Sequence, residues 1–324
     1  MVYNLGHALF EFVESRWGKE GIRQFLFSLR KSVIGGGEDA YQEAFRLTPE
    51  EFDLEFDKYL KDRFKPFRDK ERPADYGRNL APDPEESRFI GSASIEPSPS
   101  GDLLAMVTFN RREGEMDIVL VSSKDGAPIR NLTADFDQDL GFEFIITPGM
   151  RFNNVPWLSW HPSGDRIAYF VRREKWRTLI MQNVLNSDIE ERFELREVDE
   201  PESPDISPDG TKVAFAALQN GIGDIFLLDV TSREITNLTK DGFADSGPTW
   251  SPDGRSLIYV ARVSGNEKLF RLDIATGQKT QITFGTHDDS SAQFMDAETV
   301  VFSSTATDPA QPVTPEVSRN GNGL

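Results

Sequence analysis

Ser251-Pro252-Asp253-Gly254 is the stretch of this 324-residue chain that decides its fold. Near-copies of it begin at Ser98, His161 and Ser207, so successive copies start 63, 46 and 44 residues apart. In each copy the proline fixes φ near −65°, a short polar residue follows, and the glycine supplies the left-handed conformation that closes a tight turn. The chain therefore repeats one kind of turn at intervals typical of a repeat protein.

Each turn is followed by strand-like runs. A β-rich run comes directly after it, as at residues 212–215 and 257–260, and a second run begins about ten residues later, as at 224–229 and 268–273. A polar turn then leads to a short closing strand such as 234–239. Together with the strand before the turn, each repeat predicts four antiparallel strands, which is typical of a β-propeller blade. Each blade buries its faces only against its neighbours, so several must stack.

The repeats predict a mainly β fold with four clear blades and a partial fifth. The fifth begins at Ser291 and continues through residues 299–302, but its outer strands are missing. Either the ring closes with a strand from residues 72–95, or the chain is a piece of a longer product. We favour the second interpretation because the first helix begins abruptly at Met1. A partial ring would expose strand edges, which promote association.

The first repeat carries an insertion, residues 134–156, which explains the longest spacing. Insertions in repeat proteins often lie on a binding face, although a tolerated excursion explains this one equally well.

The remainder of the chain differs in character from the repeats. Residues 1–66 predict a small helical region in which Gly18 ends the first helix. Residues 67–90 are charged and contain prolines, which indicates a linker, and residues 91–305 hold the propeller repeats. Residues 306–324 lack periodicity and predict a disordered tail. The first helix is predicted from apolar residues at helical spacing, namely Leu5, Ala8, Leu9, Phe12 and Val13. Further helices are predicted at residues 22–29, at 38–45 and from Thr48.

Composition excludes several classes of function. A net charge of −18 argues against nucleic acid, because phosphate binding needs a basic face. No run approaches the ~18 apolar residues of a membrane span, and the N-terminus lacks the pattern of a signal peptide. Without cysteine the chain has no disulfides and no thiolate metal ligands.

Motifs of catalysis are also missing from the sequence. It contains no His-Glu-x-x-His zinc motif, no Gly-x-Ser-x-Gly elbow and no phosphate loop. His7 and Glu11 are one helical turn apart without a third ligand, and His161 occupies a turn position. His287 lies in an inter-blade loop, where it is a candidate for contact with a ligand. We therefore expect a non-catalytic chain without catalytic, cofactor-binding or metal-binding residues.

The repeats resemble a known family. The phrase Trp-Ser-Pro-Asp-Gly at residues 250–254, the strand Asp-Ile-Phe-Leu-Leu-Asp at 224–229 and Asn-Leu-Thr at 237–239 are similar to the TolB-type, WD-like repeat propeller over residues 91–305. Similar blades occur in prolyl-oligopeptidase-like enzymes and tricorn-type proteases. The resemblance implies protein contacts through the propeller surface and a periplasmic or extracellular location.

The helical region resembles the C-terminal end of a gluzincin metallopeptidase domain of the peptidase MA type. Residues 3–22 and 40–45 carry this resemblance. In that family the zinc ligands lie upstream of the matching region, so the resemblance assigns no catalytic residue to this chain.

One set of residues suggests a binding face. A polar or acidic loop precedes the first strand of successive blades, and equivalent loops converge around the channel of a propeller. We expect a ring of acceptors suited to a basic peptide, a partner protein or a cation. Alternatively, the side chains cap local turns by accepting backbone N–H groups, and both roles can hold. The candidate residues are Asn153, Asn154, Glu202, Asp245, Asp288 and Asp289, with Ser203 and Ser246 beside them.

The sequence thus predicts a non-catalytic propeller that binds a protein or peptide. The main alternative is the non-catalytic portion of a larger exported peptidase. That enzyme would be a metallopeptidase with its zinc motif upstream or a prolyl-oligopeptidase-like enzyme with its hydrolase domain downstream. A third hypothesis is a propeller that gates substrates for a separate protease.

Overall fold

The computed structural model describes residues 2–32, 38–68, 76–80, 87–134, 158–173 and 176–306. The chain divides into two compact units, Met1–Asn79 and Leu80–Leu324. Helices form the first unit and β-strands form the second.

The first unit contains α1 (Val2–Ser32), α2 (Glu38–Phe45) and α3 (Pro49–Arg68). Gly18 has a φ of 67° and interrupts the helical backbone of α1. This is the residue at which the sequence predicts the first helix to end, because glycine tolerates a left-handed backbone that other residues avoid. In the described part of the chain, no helix combines the length and the apolar character that crossing a membrane requires.

Local hydrogen bonds and aromatic packing hold the helical unit together. Thr48 caps α3: its Oγ1 accepts from the Glu51 N–H at 3.2 Å, and Glu51 Oε2 accepts from the Thr48 N–H at 2.9 Å. This reciprocal pair satisfies two backbone donors at the start of the helix. Phe52 is fully buried, and its ring centroid lies 5.4 Å from that of Phe12 and 5.1 Å from that of Phe45. The core of this small unit is thus largely aromatic.

The second unit consists of four four-stranded sheets and one two-stranded sheet, each antiparallel and each built from consecutive strands. This confirms the predicted propeller blades, of which the fifth is represented by two strands. The strands are β1 (Phe89–Pro97), β2 (Leu103–Asn110), β3 (Glu115–Ser122) and β4 (Pro128–Asn131) in blade 1; β5 (Ser159–Trp160), β6 (Arg166–Arg173), β7 (Trp176–Asn183) and β8 (Ile189–Leu195) in blade 2; β9 (Asp199–Ile206), β10 (Lys212–Gln219), β11 (Ile222–Asp229) and β12 (Ile235–Asn237) in blade 3; β13 (Asp245–Trp250), β14 (Ser256–Val263), β15 (Asn266–Asp273) and β16 (Lys279–Gln281) in blade 4; and β17 (Asp289–Phe294) and β18 (Val300–Ser304) in blade 5.

The repeated phrase forms the turn between the first two strands of a blade. In blade 4 the Gly254 N–H donates to the Ser251 carbonyl at 2.9 Å, and Gly254 has a φ of 68°. The Ser251 hydroxyl donates to Asp253 Oδ1 at 2.6 Å and accepts from the Ser256 N–H at 3.0 Å. Each residue of the phrase therefore has a defined part in closing the turn, which explains why the pattern recurs.

Tryptophans at the ends of first strands connect neighbouring blades. Trp160 Nε1 donates to the Glu96 carbonyl of blade 1 at 2.9 Å, and Trp250 Nε1 donates to the Asp205 carbonyl of blade 3 at 3.0 Å. Each pairs a buried indole N–H with a backbone acceptor of the preceding blade. Apolar side chains of adjacent sheets also pack against one another and fill the space between blades.

The predicted boundaries differ slightly from the observed elements. Helix α3 ends at Arg68 rather than at residue 66, and β1 begins at Phe89 rather than at residue 91. Because β1 pairs with β2, residues 89–95 belong to the first blade and are not a closing strand for the last one. Residues 135–156 of the insertion and 307–324 of the tail lie outside the described residues.

Candidate functional site

The first strands of the five blades surround a central cleft of about 560 Å³. In four blades the residue two places before the turn phrase lines this cleft: Glu96, Ser159, Asp205 and Thr249. The tryptophan that follows in blades 2 and 4 makes the inter-blade bond, and Trp160 also lines the cleft.

Five carboxyl groups line the cleft, those of Glu96, Glu202, Asp205, Glu267 and Asp288, and burial shifts the pKa of the first three. Burial raises the pKa of Glu96 to about 7, and the charge of Asp205 acts in the same direction. Burial also raises the pKa of Glu202 to about 7, reinforced by Glu200. A cationic group placed among these carboxylates would favour their ionised forms.

Asp205 is the most constrained of the three carboxyl groups. Burial raises its pKa to about 7, although its Oδ2 accepts a hydrogen bond from the Trp250 N–H at 2.7 Å. Its Oδ1 lies 3.4 Å from the Ser159 hydroxyl, which in turn accepts from the Ile206 N–H at 3.0 Å. Asp205 thus fixes the inner strand of blade 4 through its side chain while it lines the cleft.

The structure brings two of the predicted acceptors to the cleft. Glu202 and Asp288 both line it. Asp288 Oδ1 also accepts from the Glu267 N–H at 2.9 Å, so this carboxylate bonds to backbone as the alternative hypothesis expects. Asn153 and Asn154 lie outside the described residues.

The prediction that Asp245 and Asp289 face the channel is wrong. Asp245 is only 4% exposed and Asp289 is fully buried, and neither lines the cleft. Their direct neighbours Ser246 and Asp288 do line it. A shift of one residue along an extended segment moves the side chain to the opposite face, and the sequence pattern alone did not fix that register.

The three histidines occupy different surroundings. His7 Nε2 is 3.5 Å from Glu11 Oε1 on an exposed helix surface. His161 Nδ1 lies 2.5 Å from the Ser163 hydroxyl, within the turn where the sequence places it. His287 is 6% exposed, with its Nε2 3.5 Å from Asp289 Oδ2, so it lies inside the blade interface instead of at a ligand-accessible loop surface.

Sequence reasoning missed Glu96 and Asp205. It examined the loops ahead of each first strand, whereas these residues lie at the other end of the strand, next to the turn phrase. The signal that identifies them is positional, because each lies two residues before the turn phrase in a blade that carries the phrase.

Comparisons with known proteins agree with this architecture. One family model, PD40, the TolB beta propeller domain, matches residues 137–321. No curated protein sequence matches the chain.

Several solved structures align with part of the chain. TolB from Acinetobacter baumannii is 18% identical, with a TM-score of 0.44 over 61% of this chain and 42% of that one. A putative TolB from Agrobacterium tumefaciens is 19% identical, with a TM-score of 0.47 over 60% and 64% of the two chains. The β-propeller domain of Myceliophteria thermophila Cps50 (Swd1) is 14% identical, with a TM-score of 0.48 over 69% and 71%. The chain thus spans less than two thirds of either TolB structure.

Proposed function

We propose that this chain, which belongs to the PD40 family of TolB beta propellers, is a non-catalytic protein that binds a basic segment of a peptide or protein partner in its central cleft. The observation that carries the proposal is the presence of Glu96, Glu202 and Asp205 in one cleft. Burial raises the pKa of each of these carboxyl groups to about 7.

The size and charge of the cleft favour an arginine or lysine side chain as the group that enters it. A volume of about 560 Å³ falls within the range of small-ligand sites. Guanidinium and ammonium groups donate charge-assisted hydrogen bonds to carboxylates, and these bonds are stronger inside a cleft than in open solvent. The net charge of −18 would also attract a basic partner over longer distances.

Binding of labelled peptides tests this proposal directly. Fluorescence anisotropy would compare a short arginine-glycine peptide with a glutamate-glycine peptide of equal length. We expect the arginine peptide to bind, the glutamate peptide not to bind, and Glu202→Gln to weaken binding roughly tenfold through loss of a charged partner. Glu234→Gln removes one charge from an exposed position of the same blade and serves as the matched control.

Two results would overturn the proposal. One is equal binding of the arginine and glutamate peptides, and the other is equal affinity of the Glu202→Gln and Glu234→Gln variants for the arginine peptide. Measuring the affinity at two salt concentrations separates the cleft from general surface attraction, because exposed charges are screened more strongly than partly buried ones.

One experiment tests both the hypothesis of a larger peptidase and the location of the protein. If the helical unit is the end of a metallopeptidase domain, the native product is larger and an in-frame His-Glu-x-x-His precedes it. If the propeller acts in the periplasm, an export signal precedes it too. Reading the coding DNA upstream, with an immunoblot of fractionated cells, tests both. A native product of this length confined to the cytoplasm would contradict both hypotheses.

A further inference from the structure

Three carboxylates meet between blades 3 and 4, and none of them lines the central cleft. Asp224 is the third residue of β11, Asp241 lies in the loop after β12, and Asp245 begins β13. One oxygen from each lies within 4.8 Å of the other two. Asp224 and Asp245 are buried, and Asp241 is partly buried. Like charges this close repel one another strongly in a buried setting.

The buried carboxylate of Asp245 is incompletely compensated, because the Thr239 hydroxyl and the Lys279 ammonium favour its charged form only from a distance. It is 4% exposed, and in the described part of the chain neither of its carboxylate oxygens has a hydrogen-bond partner. Burying a charged group without a partner is costly, so such a group indicates that something outside the protein chain completes its surroundings.

The other two carboxylates are partly compensated. Lys279 Nζ donates to Asp241 Oδ2 at 2.6 Å, and Asn237 Nδ2 donates to Asp224 Oδ2 at 2.8 Å. One ammonium among three carboxylates leaves a local charge of about −2 when all three are ionised. A divalent cation would neutralise this charge.

At the interface between blades 4 and 5, a lysine side chain supplies a cation at the equivalent position. Lys268 is the third residue of β15, as Asp224 is of β11, and Asp289 begins β17, as Asp245 begins β13. Lys268 Nζ lies 2.7 Å from Asp289 Oδ2 and 3.4 Å from the Phe284 carbonyl. Lys268 is 2% exposed, so the chain itself places a positive charge against the equivalent aspartate.

Blade 1 shows a second way to satisfy this position. Asp117 is the third residue of β3, and it accepts hydrogen bonds from Asn110 Nδ2 at 2.7 Å, Asn131 Nδ2 at 2.8 Å and Thr133 Oγ1 at 2.8 Å. A buried aspartate here can therefore be satisfied by neutral donors. Asp224 has two equivalent donors, Asn237 Nδ2 at 2.8 Å and Thr239 Oγ1 at 3.3 Å. Asp245, across the interface, has no close donor, and the nearby Lys279 donates to Asp241 instead.

From these contacts we propose that Asp224, Asp241 and Asp245 bind a Ca²⁺ ion between blades 3 and 4. The ion takes the part at this interface that the Lys268 ammonium takes at the next one. It would hold the two blades together and is independent of any partner in the central cleft.

The donor set selects the metal. All three side chains offer oxygen, which suits hard cations and not zinc or copper. A triangle with edges of 4.8 Å has its centre about 2.8 Å from each corner, so a slight contraction reaches the 2.3–2.6 Å of Ca²⁺–oxygen bonds. Mg²⁺ needs bonds of about 2.0–2.1 Å in a strict octahedron and would require a larger rearrangement.

Calorimetric titration and thermal unfolding of the full chain test the site. After treatment with a chelator, we expect the protein to bind one Ca²⁺, and Tm to rise by about 5 °C at a Ca²⁺ concentration well above Kd. Mg²⁺ at the same concentration, which controls for ionic strength, should give a much smaller rise. Asp245→Asn should lose most of the Ca²⁺ response.

A charge-reversal variant makes the test sharper. Asp224→Lys copies the arrangement of the next interface, so we expect it to fold without Ca²⁺ and to show no Ca²⁺-dependent rise in Tm. Glu234→Gln is the control and should respond as the unmodified chain does. The proposal is overturned if the unmodified chain shows neither binding heat nor a Tm rise with Ca²⁺. It is also overturned if Asp245→Asn or Asp224→Lys binds Ca²⁺ with unchanged affinity.

Discussion

The interface between blades 3 and 4 and the interface between blades 4 and 5 place charged side chains at the same two backbone positions, and the charge is reversed at one of them. At the first, Asp224 faces Asp241 and Asp245; at the second, Lys268 pairs with Asp289. The strands around them match, since the Ile225 N–H donates to Thr239 Oγ1 and the Leu269 N–H to Thr283 Oγ1, both at 3.0 Å. The two interfaces thus share the same backbone hydrogen bonds, and the exchange of Asp224 for Lys268 reverses the charge at one position.

A buried position of a blade therefore has no fixed chemical preference. What it requires is compensation, and the blades obtain this from different sources: amide and hydroxyl donors around Asp117 and Asp224, an ammonium at Lys268 and, by our proposal, a metal ion beside Asp245. Because each blade contacts only its neighbours, one interface can change without disturbing the others.

The largest effect is expected from removing the Lys268 ammonium at the interface between blades 4 and 5. Lys268→Met leaves Asp289 buried without its ammonium partner, and we expect the free energy of unfolding to fall by about 3–5 kcal/mol. Urea unfolding measures the loss. Lys212→Met is the control, because Lys212 is part-exposed and 4.0 Å from Asp229, a pair worth about 1 kcal/mol or less. Equal losses for the two variants would show that the buried pair contributes no more than a surface one.

A smaller effect of opposite sign is expected at the acidic interface. With a chelator present, Asp245→Asn removes a buried charge and adds two amide donors near Asp224 and Asp241. We expect the free energy of unfolding to rise by about 1–3 kcal/mol near pH 8. Saturating Ca²⁺ should shrink or reverse this gain, since the unmodified chain then has its cation. A loss of stability in chelator would mean that Asp245 is already compensated.

The smallest effect is expected at Glu202, which lines the cleft and belongs to neither of the two charged interfaces. Folding raises the pKa of Glu202 from 4.5 to about 7. Between these values the folded protein holds a proton that the unfolded chain releases, so the free energy of unfolding falls as pH rises through this window. We expect Glu202→Gln to remove about 1 kcal/mol of that decline after allowance for solvent screening. Urea unfolding at several pH values in chelator measures it, and an unchanged slope would contradict the assignment.

Much of the fold was predictable because the signal is local. The turn phrase needs only its own serine, proline, aspartate and glycine to close, and so it identifies blades 1 to 4 from the sequence. Gly18 and the Thr48–Glu51 capping box mark helix ends for the same reason. The candidate site was less predictable. Glu202 and Asp288 reach the cleft as expected, but Asp245 and Asp289 do not. The strand register decides which side chains face the cleft, and the sequence pattern does not specify that register.

Local patterns along the chain are enough to identify the repeat, the number of visible blades, the helical unit and the absence of a familiar catalytic motif, since each depends on residues close together in the sequence. Only the tertiary structure decided which side chains meet. Asp224 and Asp245 are 21 positions apart, and the sequence analysis assigned no metal ligands to the chain. They come together because β13 packs against blade 3, and whether such a pair attracts, repels or binds an ion depends on what else is buried beside it.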